Sequence, residues 1–223
     1  MDKGPQTKKR LRDPVNGLTH LVGGLLASAG LIVLLAKAAS TGRVDQLVAF
    51  GVFGLSLVAL YTASTLYHLL PLSPARVARL RRLDHVAIFV LIAGTYTPFC
   101  LLALQGAWRW GLLALVWGLA LCGVLLKVLW MDAPRWLSVV LYLGMGWLAV
   151  VAAPALLQAV PAGGMAWVLA GGLTYSAGAL VYAFKLPNLI PGAFGFHELW
   201  HLFVVAGSAC HFWAVLRYVA PLA

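Results

Sequence analysis

The sequence predicts an all-α polytopic membrane protein, a bundle of seven transmembrane helices, on three observations. Only 10% of the 223 residues carry a formal charge while 62% are hydrophobic, whereas a soluble domain charges about a quarter of its residues to keep its surface solvated. Mean hydropathy is +0.92. Apolar stretches of about 20 residues, enough to cross a bilayer, recur along the whole chain and are separated by short segments rich in charge, proline or glycine. Little chain is left for a soluble domain. The organisation expected is therefore a basic tail over residues 1–15 and one membrane domain over residues 16–223.

The spans follow in order. The first runs from Gly17 to Ala39 and stops at Ser40, Thr41, Gly42 and Arg43. The second, Gln46 to Leu70, ends at Pro71, with Ser73 and Pro74 marking the loop. The third, Leu83 to Gln105, follows an arginine cluster read as loop (Arg76, Arg79, Arg81, Arg82) and contains Pro98, a candidate kink. The fourth, Trp108 to Trp130, closes at Asp132, Ala133, Pro134 and Arg135. A fifth, Trp136 to Leu157, carries Pro154; a sixth, Gly164 to Phe184, ends before Lys185 and Pro187; the last runs from Phe196 to Val219. The small triplet Ala27, Ser28, Ala29 after a basic tail has the look of a signal-peptide cleavage site. The apolar run continues through Ala36, beyond a signal's usual end, so the first span is expected to be retained. Cys100, Cys122 and Cys210 all lie inside apolar runs, which indicates small core residues and no disulfide framework.

A net charge of +10 would indicate a nucleic-acid partner in a soluble protein. Here the basic residues flank apolar runs, in the tail (Lys3, Lys8, Lys9, Arg10, Arg12) and in the arginine cluster, which is the topology signal of a membrane protein. A cytoplasmic N-terminus places twelve of the sixteen basic residues inside and leaves Lys37, Arg43, Arg109 and Arg217 outside. The expected topology is N-terminus cytoplasmic and C-terminus outside, multi-pass in the cell membrane (the bacterial inner membrane), opposite to the G-protein-coupled receptors. The tail is either simply solvated or held on lipid head groups. Membrane lipids are the expected partners and nucleic acid is not; the sequence does not set the oligomeric state.

Ionisable residues inside a span are costly and mark functional sites. They are His20, His68, Asp84, His85, His197, Glu198, His201 and His211. The assigned topology brings all but His211 to the cytoplasmic end of four different spans. His197 and His201, four apart, leave one face of a helix about a turn apart, the geometry of a zinc-binding pair. Ser64 and His68 share that separation on the second span. If His68 meets the pair from a neighbouring helix, three imidazoles hold Zn2+ and leave a position for water, the mark of a catalytic site. Such water has a pKa near ~7. Asp84 could then accept its proton or orient a histidine, and Ser64 could hydrogen-bond a developing oxyanion.

Plainer readings stand beside these. The histidine pair could be hydrogen-bonding glue between helices, and His68 an interfacial residue beside Pro71. Asp84 could cap the third helix or pair with Arg81 or Arg82, and His85 reads as interfacial. Asn16 and His20 share a helical face, either around the site or as packing. His211, about 15 Å along the helix from His201, is too deep to be a ligand and reads as a satisfied core histidine or a helix contact. The stretch from His197 to His201 also matches the H-E-x-x-H pattern of metalloproteases, with Glu198 as base. That reading leaves Ser64, His68 and Asp84 without roles.

Longer motifs carry a resemblance. Ser64-Thr65-Leu66-Tyr67-His68, Leu83-Asp84-His85-Val86-Ala87-Ile88, Ala93-Gly94-Thr95-Tyr96-Thr97-Pro98-Phe99, Phe196 to His201 and Gly207 to Phe212 resemble those of the hemolysin III proteins. These are the bacterial branch of the progestin and adiponectin receptor superfamily, itself similar to alkaline ceramidases. The resemblance begins at Asn16 and covers almost the whole chain. It implies a seven-helix bundle with a cytoplasmic N-terminus and a zinc ion held by His68, His197 and His201. It also matches Ser64 and Asp84 to the family's serine and to the aspartate that opens its third helix. Its eukaryotic members lack a fixed glutamate after the first histidine of the pair, which speaks against Glu198 as a base. The chain departs from the pattern at Arg12-Asp13-Pro14, where many relatives carry a glutamate before the asparagine. No acidic role is carried over to that position.

Two functions are therefore expected in competition. One is a zinc-dependent intramembrane hydrolase of a lipid amide or ester, ceramidase-like, its substrate entering laterally from the inner leaflet. The other is a non-enzymatic protein, a pore-forming hemolysin active in cytolysis or a regulator of membrane state. The polar residues cluster at one end of the spans, which does not read as the lining of an aqueous pore.

Overall fold

Proline is favoured in the first turn of a helix, where its missing N–H has no partner to lose and its fixed φ fits. Pro14 and Pro74 begin the first and third helices in this way. The computed structural model describes residues 11–191 and 194–222; the tail residues Lys3, Lys8, Lys9 and Arg10 lie outside the described residues. The helices are α1 (Pro14–Thr41), α2 (Val44–Leu69), α3 (Pro74–Pro98), α4 (Gly106–Leu129), α5 (Arg135–Gly146), α6 (Ala153–Ala159), α7 (Ala162–Phe184) and α8 (Phe196–Ala214). Among the described residues six spans are long and apolar enough to cross a membrane, and the bent pair of α5 and α6 makes a seventh if it counts as one span. The chain is thus an all-α polytopic bundle.

Two elements differ from the sequence reading. The arginine cluster is not a loop, because α3 begins at Pro74. Arginine is a good helix former, and an apolar run marks where a helix meets lipid rather than where it starts. Pro98, read as a candidate kink, is the last residue of regular α3, and the chain continues through a π-helical turn at Phe99–Ala103. The fifth span is broken: α5 passes into a 3-10 turn at Trp147–Val150, and α6 leaves at 55°. Gly144 and Gly146 weaken the helix there, and Pro154 sits in the first turn of α6. The left-handed Gly42 (φ 68°) ends α1, its N–H reaching the Ala39 carbonyl.

Helix α3 is the most enclosed, with 67% of its apolar window buried against 22% for α1 and α7. It packs between α2 and α4, while α8 packs on α7 and returns to α1. Small residues allow these approaches. A Cβ on Gly23 would stand 2.9 Å from the Tyr61 ring, and one on Gly207 2.8 Å from that of Tyr175. The outer faces expose Leu25, Ile32, Leu129, Trp136 and Phe184, as a surface meant for lipid does. Cys122 lies on such an exposed face, not in the core; Cys100 is buried and Cys210 half-buried. Lipid and core are equally apolar, so sequence does not separate the two positions.

Candidate metal centre

The last turn of α2 carries His68 and the first turns of α8 carry His197 and His201. Because α1 packs on both helices, the two ends meet. One nitrogen from each of the three rings lies within 4.8 Å of the others, and the Nε2 atoms of His68 and His197 are 3.4 Å apart. His68 and His201 are buried, and His197 is half-buried on the wall of a cavity. The sequence reading placed the same three residues together.

Neighbouring groups fix two of the rings. His68 Nδ1 donates to Asp13 Oδ2 at 3.2 Å, and His201 Nδ1 donates to the Asn16 carbonyl at 3.2 Å. Each therefore presents an unprotonated Nε2, the orientation that a metal ligand needs. The spacing of one pair suits a tetrahedral ion such as zinc: nitrogens 2.0–2.1 Å from it stand about 3.3–3.4 Å apart. That matches the His68–His197 separation of 3.4 Å.

Asp13 and Asn16 contact the histidine cluster, and the motifs gave neither a fixed role. Besides its carboxylate contact, Asp13 donates its backbone N–H to the His68 carbonyl at 2.9 Å, tying the start of α1 to the end of α2. An acidic residue thus does act at this approach. Asn16 Nδ2 donates to Glu198 Oε1 at 2.7 Å, and Glu198 Oε2 accepts the Gly195 N–H at 2.8 Å. Both carboxylate oxygens of Glu198 are engaged, one by Asn16 of α1 and one at the N-terminus of α8, so the metalloprotease pattern lacks a free base. His20 is at the site too, stacked on His201 with centroids 3.7 Å apart.

Ser64 is fully buried and lines the cavity. It interacts with Asp84 across the α2–α3 interface, without a hydrogen bond of ordinary geometry between them. Asp84 lies well inside α3 and so caps nothing. Among the described residues it makes no ion pair with Arg81 or Arg82; Arg81 Nη1 pairs with Asp132 Oδ1 at 3.4 Å. His85 is not a surface group: its side chain is only 18% exposed and faces the cavity, with Nδ1 2.9 Å from the Arg81 carbonyl.

His211 is buried away from the three ligands, stacked on Tyr175 at 5.5 Å. It is not a satisfied histidine, since its Nδ1 has no partner among the described residues. Polar groups also run deeper than the ionisable residues imply. Ser208 Oγ is 2.8 Å from both the Tyr61 and Tyr175 hydroxyls, and Tyr61 packs edge-on against His20. The signal was positional: Tyr61, Ser64 and His68 share one helix face at i, i+3 and i+7.

The cavity has a volume of about 760 Å³. Ser64, Asp84, His197 and His201 stand on its wall, which Leu91, Leu112, Met165 and Val168 continue as an apolar surface. Against this fold and site, the family model described as Haemolysin-III related matches residues 8–212. The chain belongs to the hemolysin III family. Its similarity to other hemolysin III proteins spans nearly the whole sequence. It is 42% identical over 210 residues to Hemolysin-3 of Bacillus cereus, covering 93% of this chain and 92% of that one. The Hemolysin-3 homolog of Bacillus subtilis is 40% identical, with 91% and 92% covered. The monocyte to macrophage differentiation factor of Homo sapiens is 26% identical over 75% of this chain and 69% of its own. That distant likeness sets the hemolysin III chain within the progestin and adiponectin receptor superfamily.

Proposed function

We propose that this hemolysin III protein is a zinc-dependent hydrolase that cleaves a lipid amide or ester within the membrane. The observation that carries the reading is the set of three clustered imidazoles, two with their Nε2 lone pairs fixed by Asp13 and Asn16, of which His197 and His201 stand on the wall of an apolar cavity. The cavity volume of about 760 Å³ falls within the range of sites that enclose small molecules. Zinc held there by His68, His197 and His201 would supply Lewis acidity to a carbonyl and lower the pKa of water.

The chain's own residues divide the remaining work. Asp84, on the cavity wall beside Ser64, takes up the proton of the attacking water and returns it to the leaving group. The Ser64 hydroxyl turns toward the substrate carbonyl and donates to its oxygen as negative charge develops. Leu91, Leu112, Met165 and Val168 take the acyl chain and exclude bulk water. The lipid enters from the inner leaflet if the N-terminus is cytoplasmic, the topology that the basic residues favour. Purified protein in lipid vesicles should release fatty acid from ceramide-like lipids or their ester analogues, and His197→Ala should abolish release. Equal release by wild type and His197→Ala would remove the assignment.

The names of the bacterial relatives support a second reading, pore formation leading to cytolysis. Dose-dependent ion leakage from liposomes that survives metal removal would favour it over hydrolysis.

A further inference from the structure

Lys127 lies in the last turn of α4 and is 2% exposed. Among the described residues it makes no ion pair and no hydrogen bond. Its ammonium is not sealed off and lies within electrostatic reach of Asp132; a cation on a cavity wall in a membrane span marks a ligand path. Basic residues that only set topology sit in the water beyond the helix ends; this one lines the cavity.

Arg135, at the start of α5, lines the same cavity and is also without a carboxylate partner among the described residues. Its guanidinium lies 4.6 Å from the Tyr182 ring centroid and 5.7 Å from that of Phe196, and it donates to the Tyr182 carbonyl at 3.2 Å. These contacts hold it in place while leaving donors free. Arg81 completes the group. Its pair with Asp132 stands 44% and 86% exposed, and such pairs hold weakly. Asp84 is the other acid on this wall and sits beside Ser64. Lys127, Arg81 and His197 all lie within electrostatic reach of His85, so the cations adjoin the metal centre.

A cavity with a largely apolar wall and a group of cations at one end of it fits a molecule that is apolar with an anionic end. We propose that Lys127 and Arg135, with Arg81 beside them, bind the phosphate head group of a lipid whose chain fills the cavity. The arginine fork donates to two phosphate oxygens and the lysine adds a point charge. This names the substrate class for the hydrolase reading and rests on it: the bond to be cleaved would lie between the cations and the apolar wall, beside His197.

The test is binding to the full chain in neutral detergent, with phosphatidic acid, the diacylglycerol of the same chains, and inorganic phosphate as probes. Phosphatidic acid should bind at least about tenfold more tightly than diacylglycerol, with inorganic phosphate far weaker than either. Lys127→Gln and Arg135→Gln should each reduce that preference about tenfold, while Lys127→Arg retains most of it. Equal affinity for the two lipids, or an unchanged preference in both glutamine variants, would overturn the proposal. Inorganic phosphate binding as tightly as the lipid would overturn the lipid part and leave a soluble anion site. A clear preference for phosphatidic acid without fatty-acid release would leave the head-group site standing while failing the hydrolase reading. Because the preference is read first in the wild type, a variant that does not fold cannot rescue or sink it alone.

Discussion

A hydrogen bond that holds the proton on one ring nitrogen leaves the other free for a metal, and Asp13 does this for His68 across 3.2 Å. Partners of this kind are worth about 10–100-fold in metal affinity. Asp13→Ala is therefore expected to weaken zinc binding by about that factor without unfolding the bundle, as read by competition with a chromogenic chelator. Unchanged affinity would mean that Asp13 only ties helix ends. The three clustered histidines were legible in the sequence because two of them share a helix face and every ionisable group in an apolar span stands out. Asp13 was not: its contact with His68 joins positions 55 residues apart, and only tertiary packing creates it. The Asn16 carbonyl is less legible still, since no side chain announces a backbone acceptor. Lys127 read as one more topology charge because burial cannot be seen from its position near a helix end.

Helix packing sets where these side chains point. Tyr61 fits beside α1 only because position 23 is glycine, and the same ring packs on His20 at 5.1 Å. Gly23→Leu is expected to destabilise the protein by about 1–3 kcal/mol through overpacking. Its melting temperature in detergent should fall, and a wild-type value would show that the interface has room. Most helices were legible as apolar runs of spanning length. What the runs did not show was continuation into polar sequence, as at Pro74, or a break inside an apolar stretch, as between α5 and α6. Both depend on backbone hydrogen bonding rather than on hydropathy.

At the scale of the whole molecule, the site joins α1, α2 and α8 at one end of the bundle, beside a cavity that spreads beneath α3, α4, α5 and α7. Which side of the membrane that end faces follows from the distribution of basic residues. A reporter active only outside the cytoplasm, fused after the C-terminus, is expected to be active; an inactive fusion alongside an active N-terminal one would invert the topology. The chemistry depends on the three histidines acting as one metal site. The most direct measurement is the metal content of detergent-purified protein, wild type beside His68→Ala. Stoichiometric zinc in the wild type and its loss in the variant is the predicted result; equal zinc content in both, or none in the wild type, would contradict the three-histidine centre.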